Sequence, residues 1–169
     1  MRPDQDSYFI QMALLVSTRS TCPRASHGCV LVNKRNHVLA TGYNGPPVGQ
    51  PHCTDEPCPG ASAPSGSSLD LCMATHAEAN ALLQCRDVWE IKTAYITASP
   101  CIFCLRLLMN TGCERIVFLF KYPHPEAKGL WESGPGRIWE QHCVSPFNGP
   151  ERKFDIELRL LPGFRPKFV

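Results

Sequence analysis

The middle of the chain alternates between strand-like and helix-like periodicity, and this alternation restricts the folds that the chain can adopt. Residues 93–98 and 115–120 are short apolar runs rich in β-branched and aromatic side chains, which favour strands. Residues 101–110 between them favour a helix that ends before Gly112. A helix that connects two strands in this way predicts a βαβ unit, and therefore at least one parallel pair of strands.

Elements that precede this unit extend the predicted sheet and cover it. Residues 5–18 carry apolar side chains at helical spacing, and residues 75–85 form a second helical segment rich in Ala, Leu and Glu. Two β-prone runs at residues 29–33 and 38–43 are joined by a polar turn, as in a hairpin. We therefore predict an α/β fold, a three-layer α/β/α domain with a central mixed sheet of about five strands.

The C-terminal part of the chain has a weaker pattern. Residues 137–142 are expected to form a short helical piece, and residues 155–161 alternate in the manner of a late strand. The sequence contains no internal repeat and no composition boundary that would separate two domains. Because 169 residues suffice to bury one core, we predict a single domain over residues 1–169.

Charge and cysteine content limit the surroundings in which the chain can act. A formal net charge of +2 does not resemble the strongly basic surface of a dedicated nucleic-acid binder, so no nucleic-acid partner is expected. The N-terminus lacks the features of a secretory signal, and no apolar run reaches the roughly 18 residues of a transmembrane helix. We predict a cytoplasmic protein (in the host cytoplasm if its source is viral) without a membrane partner. In that reducing compartment, metal binding explains ten cysteines better than a disulfide framework does.

Two short motifs supply the residue types of a catalytic metal site. The sequence HAE begins at His76, and the sequence PCIFC places Cys101 and Cys104 in the first turn of the third predicted helix. These two cysteines share a helical face, and the helix dipole favours the thiolate forms that bind zinc. With His76 as the third ligand, they predict a Zn²⁺ site whose fourth position is open to water, as in catalytic sites.

Glu78 is the candidate general acid and base of this site. The joint pattern H-x-E…P-C-x-x-C is typical of zinc-dependent nucleobase deaminases, in which the glutamate is not a metal ligand. We expect Glu78 to take a proton from the water at the open position, pass it to a ring nitrogen of cytosine, and later protonate the departing ammonia. The alternatives are a closed structural zinc site with a solvated Glu78, and redox use of Cys101 and Cys104.

The segments between about residues 22 and 122 resemble the cytidine and deoxycytidylate deaminase superfamily, and more closely its deoxycytidylate branch. The Gly-Tyr-Asn-Gly run that begins at Gly42, together with Asn80, is more specific to this branch than the zinc motif is. Residues 123–169 diverge from the pattern of the family. The resemblance is carried by TCPR (21–24), TGYNGPP (41–47), HCTD (52–55), HAEANA (76–81), SPC with the following Cys104 (99–104), and KY (121–122).

This resemblance implies a cytidine-deaminase-like fold and the hydrolytic deamination of a small-molecule nucleotide such as dCMP. It implies that Asn44 contacts the substrate, that Tyr122 packs near the pyrimidine, and that Ala77 and Ser99 offer backbone groups to the base edge. The alternatives are an ordinary turn asparagine at position 44 and a core or rim tyrosine at position 122. Family members are often hexamers regulated by dCTP and dTTP, so a homo-oligomer and these effectors are implied as well.

A second, structural zinc ion is expected near the long Pro-, Gly- and Ser-rich segment at residues 45–68. A loop of this composition gains order when a metal joins its ends, and relatives often carry a second zinc in this region. The alternative is a set of free thiols and a loop histidine. The favoured ligands are Cys22, His52, Cys58 and Cys72, with Cys53 as the replacement for any one of them.

The chain also departs from the family at positions close to the expected site. His27 precedes Gly28 where relatives have valine, and Phe103 lies between the zinc cysteines where a polar residue is more typical. His27 either faces the substrate or ends a strand, and Phe103 changes the wall of the pocket. The divergent C-terminal part leaves substrate size and phosphate recognition open, so a 5-substituted dCMP is an alternative substrate. Two other functions remain alternatives: a deaminase that acts on a base in DNA or RNA, and a non-catalytic zinc-bound scaffold.

Overall fold

The fold is given by a computed structural model that describes residues 2–64, 67–122 and 124–142. Within these ranges the chain forms four α-helices and five strands, and two short 3₁₀ turns lie at Leu69–Leu71 and Val88–Glu90. The elements follow one another as α1 (Gln5–Ser17), β1 (Gly28–Val32), β2 (Val38–Tyr43), α2 (Ala77–Gln84), β3 (Thr93–Ala98), α3 (Ile102–Met109), β4 (Arg115–Phe120), α4 (Ala127–Glu132) and β5 (Ile138–Gln141).

The strands form one mixed sheet in the order β2-β1-β3-β4-β5. β1 pairs antiparallel with β2 and with β3, whereas β3, β4 and β5 run parallel to one another. The parallel pair β3–β4 is joined through α3, as the strand–helix–strand pattern predicts. The predictions of a mixed sheet and of five strands are therefore confirmed.

Helices cover both faces of this sheet, because its central strands are apolar on both sides. In β1, Val30 and Val32 pack towards α1, whereas Cys29 and Leu31 contribute to the core under α2 and α3. All five residues of β1 are buried, as expected for a strand in the middle of a covered sheet. The two cores make the molecule a three-layer α/β/α arrangement.

The expected helical piece at residues 137–142 is wrong, because this segment is the edge strand β5. Ile138 pairs with Arg115 and Trp139 pairs with Ile116 in a parallel ladder with β4. The indole of Trp139 then packs on Phe118, with ring centroids 5.2 Å apart. A four-residue run is too short for periodicity to separate helix from strand, and here pairing with β4 decides. The late strand expected at residues 155–161 lies outside the described residues.

An ion-pair network fastens α1 to the parallel side of the sheet. Arg115 on β4 makes two hydrogen bonds of 2.7 Å to the carboxylate of Asp6 on α1, and it also binds Glu140 on β5. The hydroxyl of Tyr95 on β3 donates to the same Asp6 carboxylate at 2.8 Å. Together, Arg115 and Tyr95 thus link the first helix to three strands. No helix in the described ranges is long and apolar enough to cross a membrane.

α2 lies unusually close to β2, and a glycine makes this approach possible. A Cβ atom at Gly42 would come within 2.3 Å of the carbonyl oxygen of Ala77 and of the amide nitrogen of Ala81. The start of α2 is also fixed by Asn80, whose side-chain amide donates to the carbonyl of Tyr43 at 2.8 Å. The backbone of β2 therefore sets the position of the first turn of α2.

Candidate metal centre and active-site cavity

The candidate metal ligands lie at the N-terminal ends of two helices. His76 is the N-cap residue of α2, and Cys101 is the N-cap residue of α3, directly after the end of β3. Both residues have extended backbone angles, and neither side chain caps its own helix. Cys104 follows in the first turn of α3. The three side chains are consequently free to converge on a common point.

The spacing of these three donors suits a tetrahedral zinc ion. Nδ1 of His76 lies 3.4 Å from Sγ of Cys101 and 3.5 Å from Sγ of Cys104. Zinc–nitrogen and zinc–sulfur bonds of ordinary length at tetrahedral angles would separate such atoms by about 3.6 Å. Among the described residues, this is the group of three potential ligands whose donor atoms all lie within 4.8 Å of one another. The residues present therefore fit the expected ion.

The surroundings favour the thiolate form of Cys101 and the protonated form of Cys104. A hydrogen bond from Cys104, aided by His76, lowers the pKa of Cys101 to about 4. The pKa of Cys104 is raised, first because it shares that proton with Cys101 and then by burial. The hydrogen bond to Cys101 raises the pKa of His76. In the protein alone, negative charge is thus concentrated on Cys101, where a cation would be attracted.

Glu78 lies in the first turn of α2, next to the three donors but outside their group. Its side chain is only 6% exposed, and this burial raises the pKa of the carboxyl group. The positive charge of His76 acts in the opposite direction. A buried carboxyl group whose pKa is raised in this way suits proton transfer to and from a bound molecule.

The predicted substrate residues meet in one cavity with the metal ligands. This cavity measures about 120 Å³ and is lined by Asn44, Ala77, Ser99 and Tyr122 as well as by His76, Glu78 and Cys101. Its remaining wall contains several small apolar side chains, including Ala25, Ala74 and Ala98. Residues that are distant in the sequence are therefore brought together where the expected chemistry would take place.

Two of these predicted residues use their side chains to hold the wall in place. Oδ1 of the buried Asn44 accepts from the backbone N–H of His27 at 2.8 Å, and its Nδ2 donates to the carbonyl of Ala25 at 2.9 Å. The hydroxyl of Ser99 accepts from the N–H of Tyr122 at 2.7 Å and donates to its carbonyl at 3.2 Å. Asn44 and Ser99 therefore fix the segments that carry other lining residues.

The cavity also contains two polar residues that were not among the predicted site residues, Arg24 and His27. Nη2 of Arg24 donates to the carbonyls of Pro64 and Ser67, whereas its Nη1 is buried without a hydrogen-bond partner in the described part of the chain. The TCPR motif that includes Arg24 was the signal that could have found it.

The cysteines around the long loop come together, but the adjacent histidine does not point inward. Cys53 is buried, and the thiol of Cys58 interacts both with Cys53 and with Cys72. The charge of Cys22 also acts on Cys53. His52, in contrast, is exposed. The ends of this loop are joined by a bridge between Gly45 and Thr75.

The fold and the donor set define the class of deaminase-fold proteins with a His/Cys/Cys metal site and a buried glutamate. Comparison with known families then identifies the family to which the chain belongs. Residues 3–120 match the family model described as the cytidine and deoxycytidylate deaminase zinc-binding region. The chain belongs to this family.

Several relatives of the chain are named deoxycytidylate deaminase. The chain is 43% identical over 124 residues to the deoxycytidylate deaminase of Mycobacterium phage D29, covering 69% of this chain and 95% of that protein. It is 40% identical over 125 residues to the deoxycytidylate deaminase of Schizosaccharomyces pombe, covering 72% of this chain. The match spans 38% of the Schizosaccharomyces pombe protein and 39% of the Saccharomyces cerevisiae one.

A solved structure shares the fold. The dCMP deaminase from the cyanophage S-TIM5, crystallised in complex with dCMP and dUMP, aligns with a TM-score of 0.67 at 24% identity. The alignment covers 84% of this chain and 99% of that protein. It supports the mixed five-stranded sheet with helices on both faces.

Proposed function

We propose that this protein hydrolytically deaminates the cytosine of a deoxynucleotide, converting dCMP into dUMP and ammonia. The observation that carries this proposal is the buried Glu78 beside the His76–Cys101–Cys104 group, in one cavity. A closed structural zinc site would have no use for a carboxyl group held out of water at this place. The names of the relatives in the deoxycytidylate branch support the same substrate class.

The residues divide the chemistry among them. His76, Cys101 and Cys104 would hold a Zn²⁺ ion, which when bound acidifies water and orients it for attack. Glu78 accepts a proton from the attacking water and delivers it to N3 of cytosine. After C4 has been attacked, Glu78 takes the proton of the new C4 hydroxyl and transfers it to the amino group. The C4–N bond then breaks, ammonia departs and the C4 carbonyl of dUMP forms. The raised pKa of its carboxyl group suits both directions of transfer.

The cavity wall would bind the nucleotide. The N–H of Ala77, in the first turn of α2, has no partner within its helix and can face the base edge. The N–H of Ser99 is engaged with the carbonyl of Phe120 at 2.8 Å, so Ser99 can offer its own carbonyl. Tyr122 would pack near the pyrimidine. Asn44 fixes residues 25–27 of the cavity wall through one hydrogen bond at Oδ1 and one at Nδ2. The second N–H and the second lone pair of its amide could contact the sugar of the nucleotide.

A monophosphate is the favoured form of the substrate. Arg24 lines the cavity with an amino group that has no hydrogen-bond partner among the described residues. A phosphate oxygen would satisfy this buried donor and neutralise its charge. A base within DNA or RNA is the second candidate substrate. The net charge of +2 argues against it, because a nucleic-acid groove needs an excess of basic residues.

We also propose a structural zinc ion held by Cys22, Cys53, Cys58 and Cys72. The sequence favoured His52 as one of the four ligands. The interactions among these thiols and the exposure of His52 support the buried Cys53 as the ligand in its place. No three of these four donors lie within 4.8 Å of one another in the described chain, so binding would require the loop segments to move closer together. Four thiolates make the closed coordination shell that is typical of structural sites.

The remaining proposals concern the setting of the enzyme. We propose that it works in the cytoplasm as a homo-oligomer, a hexamer as in many family members, with dCTP and dTTP as effectors. Free thiols throughout the described residues support a reducing compartment. The exposed apolar side chains of Leu83, Phe103 and Leu107 support self-association.

A panel of cytosine compounds tests the proposed function. Purified protein is incubated with deoxycytidine, dCMP, dCTP, cytidine monophosphate and the 5-methyl and 5-hydroxymethyl forms of dCMP, and ammonia release is followed. We expect turnover to be selective for deoxynucleoside monophosphates. Silence across the panel in zinc-loaded protein, with the two triphosphate effectors added, would contradict the proposal. Release of ammonia only from a single-stranded oligonucleotide would favour the second candidate.

A further inference from the structure

One polar side chain in the cavity has no task in the proposed reaction, namely His27. It lies directly before β1, and its backbone is held by Asn44 on both sides. The N–H of His27 donates to Oδ1 of Asn44 at 2.8 Å, and its carbonyl accepts from the N–H of Asn44 at 3.3 Å. Asn44 is 5% exposed, so this anchor is itself buried. The imidazole therefore projects from a fixed point of the wall.

The imidazole of His27 lines the cavity, and one of its nitrogens has no hydrogen-bond partner in the described part of the chain. Its Nδ1 lies 3.5 Å from Oγ1 of Thr97, a long contact, and Thr97 is completely buried. The hydroxyl of Thr97 also accepts from the N–H of Gly28 at 3.1 Å. Within the described ranges this is the one side-chain hydrogen bond of the ring. Nε2 thus remains available to a bound molecule.

Burial favours the uncharged form of the ring. Burial lowers the pKa of His27 to about 4, and the positive charge of His76 acts in the same direction. A neutral imidazole offers one donor and one acceptor. It is therefore suited to an uncharged hydrogen-bonding group and not to a phosphate.

The expected orientation of the base indicates which group this is. C4 must face the three metal ligands, and its ring neighbours are N3 and C5. Glu78 must meet N3 and the amino group to transfer protons. His27 lines the same cavity next to Thr97 and within reach of the charge of His76. The C5 edge is the neighbour of C4 that Glu78 does not occupy, and it is therefore the edge that this orientation leaves for His27.

We propose that His27 is a specificity-determining residue that hydrogen-bonds a polar substituent at C5 of the cytosine. This inference rests on the proposed deamination of a cytosine nucleotide. The unsubstituted C5–H and a 5-methyl group leave the imidazole without a partner in a site that excludes water, which is unfavourable. A 5-hydroxymethyl group supplies a hydroxyl that can donate and accept. Among deoxycytidine monophosphates, one with a hydrogen-bonding group at C5 should therefore be turned over more efficiently than dCMP itself.

Substitution of His27 tests this role through a ratio of substrates. The quantity measured is kcat/KM for 5-hydroxymethyl-dCMP divided by kcat/KM for 5-methyl-dCMP. We expect a ratio of about 10 or more in the wild type, as one neutral hydrogen bond in a buried site provides. His27→Val should bring the ratio close to one, whereas His27→Gln, which keeps a hydrogen-bonding group, should retain part of the preference. His37→Val, the same change at an exposed histidine outside the cavity, should leave the ratio at the wild-type value.

The outcomes separate this inference from the proposed function. Turnover of dCMP by the wild type with no preference between the two substituted nucleotides overturns the inference alone. The same ratio in the wild type and in His27→Val also overturns it. If His27→Val does not fold, as judged by thermal unfolding, the His27→Gln ratio decides in its place. No turnover of any of the three nucleotides overturns the proposed function and, with it, this inference.

Discussion

Glu78 is held almost entirely out of water, although carboxylates are ordinarily stabilised by solvent. Burial raises the pKa of this carboxyl group. In the described chain, no salt bridge compensates for its burial at the start of α2. Such an unfavourable position is typical of residues whose chemistry depends on it. At the scale of the residue, the proposed function therefore depends on this one carboxyl group.

Glu78→Gln should abolish most of the activity while preserving the metal site. The amide has nearly the same shape but cannot accept and return a proton, so we expect kcat to fall by about 10²–10⁴-fold. Zinc content, measured by atomic absorption, should stay at the wild-type value because Glu78 is not one of the three ligands. Glu56→Gln, an exposed carboxylate in the long loop, serves as the control and should retain full turnover. A zinc-loaded Glu78→Gln protein with undiminished kcat would contradict the assigned role.

At the scale of the element, the long loop offers a direct comparison of two neighbouring residues. Cys53→Ser should lower the zinc content by one equivalent, since it removes a thiolate from the proposed structural site. The loop should then become more sensitive to proteolysis. His52→Ala should change neither the zinc content nor the cleavage pattern, because His52 is exposed. The opposite result, loss of one zinc in His52→Ala alone, would restore the histidine as the ligand.

The packing of α2 on β2 should tolerate no side chain at Gly42. Gly42→Ala places a methyl group against the backbone of Ala77 and Ala81, so that α2 must move and shift His76 with it. We expect a loss of about 1–3 kcal/mol in the free energy of unfolding, measured with urea, together with reduced turnover. Gly129→Ala on α4 is the matched control, because a Cβ there meets no atom within 4 Å. It should be neutral or stabilising by up to about 1 kcal/mol. Equal stability of the two variants would show that the close approach of α2 is not required.

At the scale of the whole molecule, the ion pair between Asp6 and Arg115 connects the first helix to the sheet and should make stability depend on pH. The hydrogen bonds from Arg115 are the main reason that the pKa of Asp6 lies below its ordinary value of 3.8. A carboxylate with a lowered pKa in the folded state stabilises the protein above its unfolded pKa. This contribution is lost as the pH falls through the folded value.

Asp6→Asn should therefore destabilise the protein by about 1–3 kcal/mol at pH 7, measured by urea unfolding. The difference from the wild type should shrink as the pH falls below 3.8. Glu132→Gln removes the exposed pair with Lys128 and should cost at most about 0.5 kcal/mol. A difference between wild type and Asp6→Asn that stays constant down to pH 2 would contradict the role of this charge.

The sequence predicted the central elements, because these rest on local patterns, and it singled out the three side chains that converge in the structure, His76, Cys101 and Cys104. Strands β1 to β4 and helices α1 to α3 have clear periodicity, and the spacing of Cys101 and Cys104 is a property of one helical turn. β5 was mistaken because a four-residue run carries little periodic information, and α4, with only six residues, was not predicted. For such short segments, contacts with the rest of the fold decide the structure.

The surroundings of the site were harder to predict, because long-range contacts set them. Whether His52 or Cys53 faces inward depends on the path of a loop that has no periodicity. Arg24 and His27 reach the cavity because hydrogen bonds from Asn44 and to the distant loop residues near Pro64 fix their segment. Neither interaction can be read from neighbouring residues. Such contacts became visible only in the folded chain.

The measurement that tests the central claim most directly is the deamination of dCMP in water enriched in ¹⁸O. The zinc-loaded protein is incubated with dCMP under conditions of complete conversion, and the nucleotide product is analysed by mass spectrometry. We predict dUMP that carries one ¹⁸O atom at C4 and one equivalent of ammonia, since water attacks C4 with Glu78 as the proton carrier. Unchanged dCMP, or ammonia release without incorporation of the label into the ring, would contradict the account.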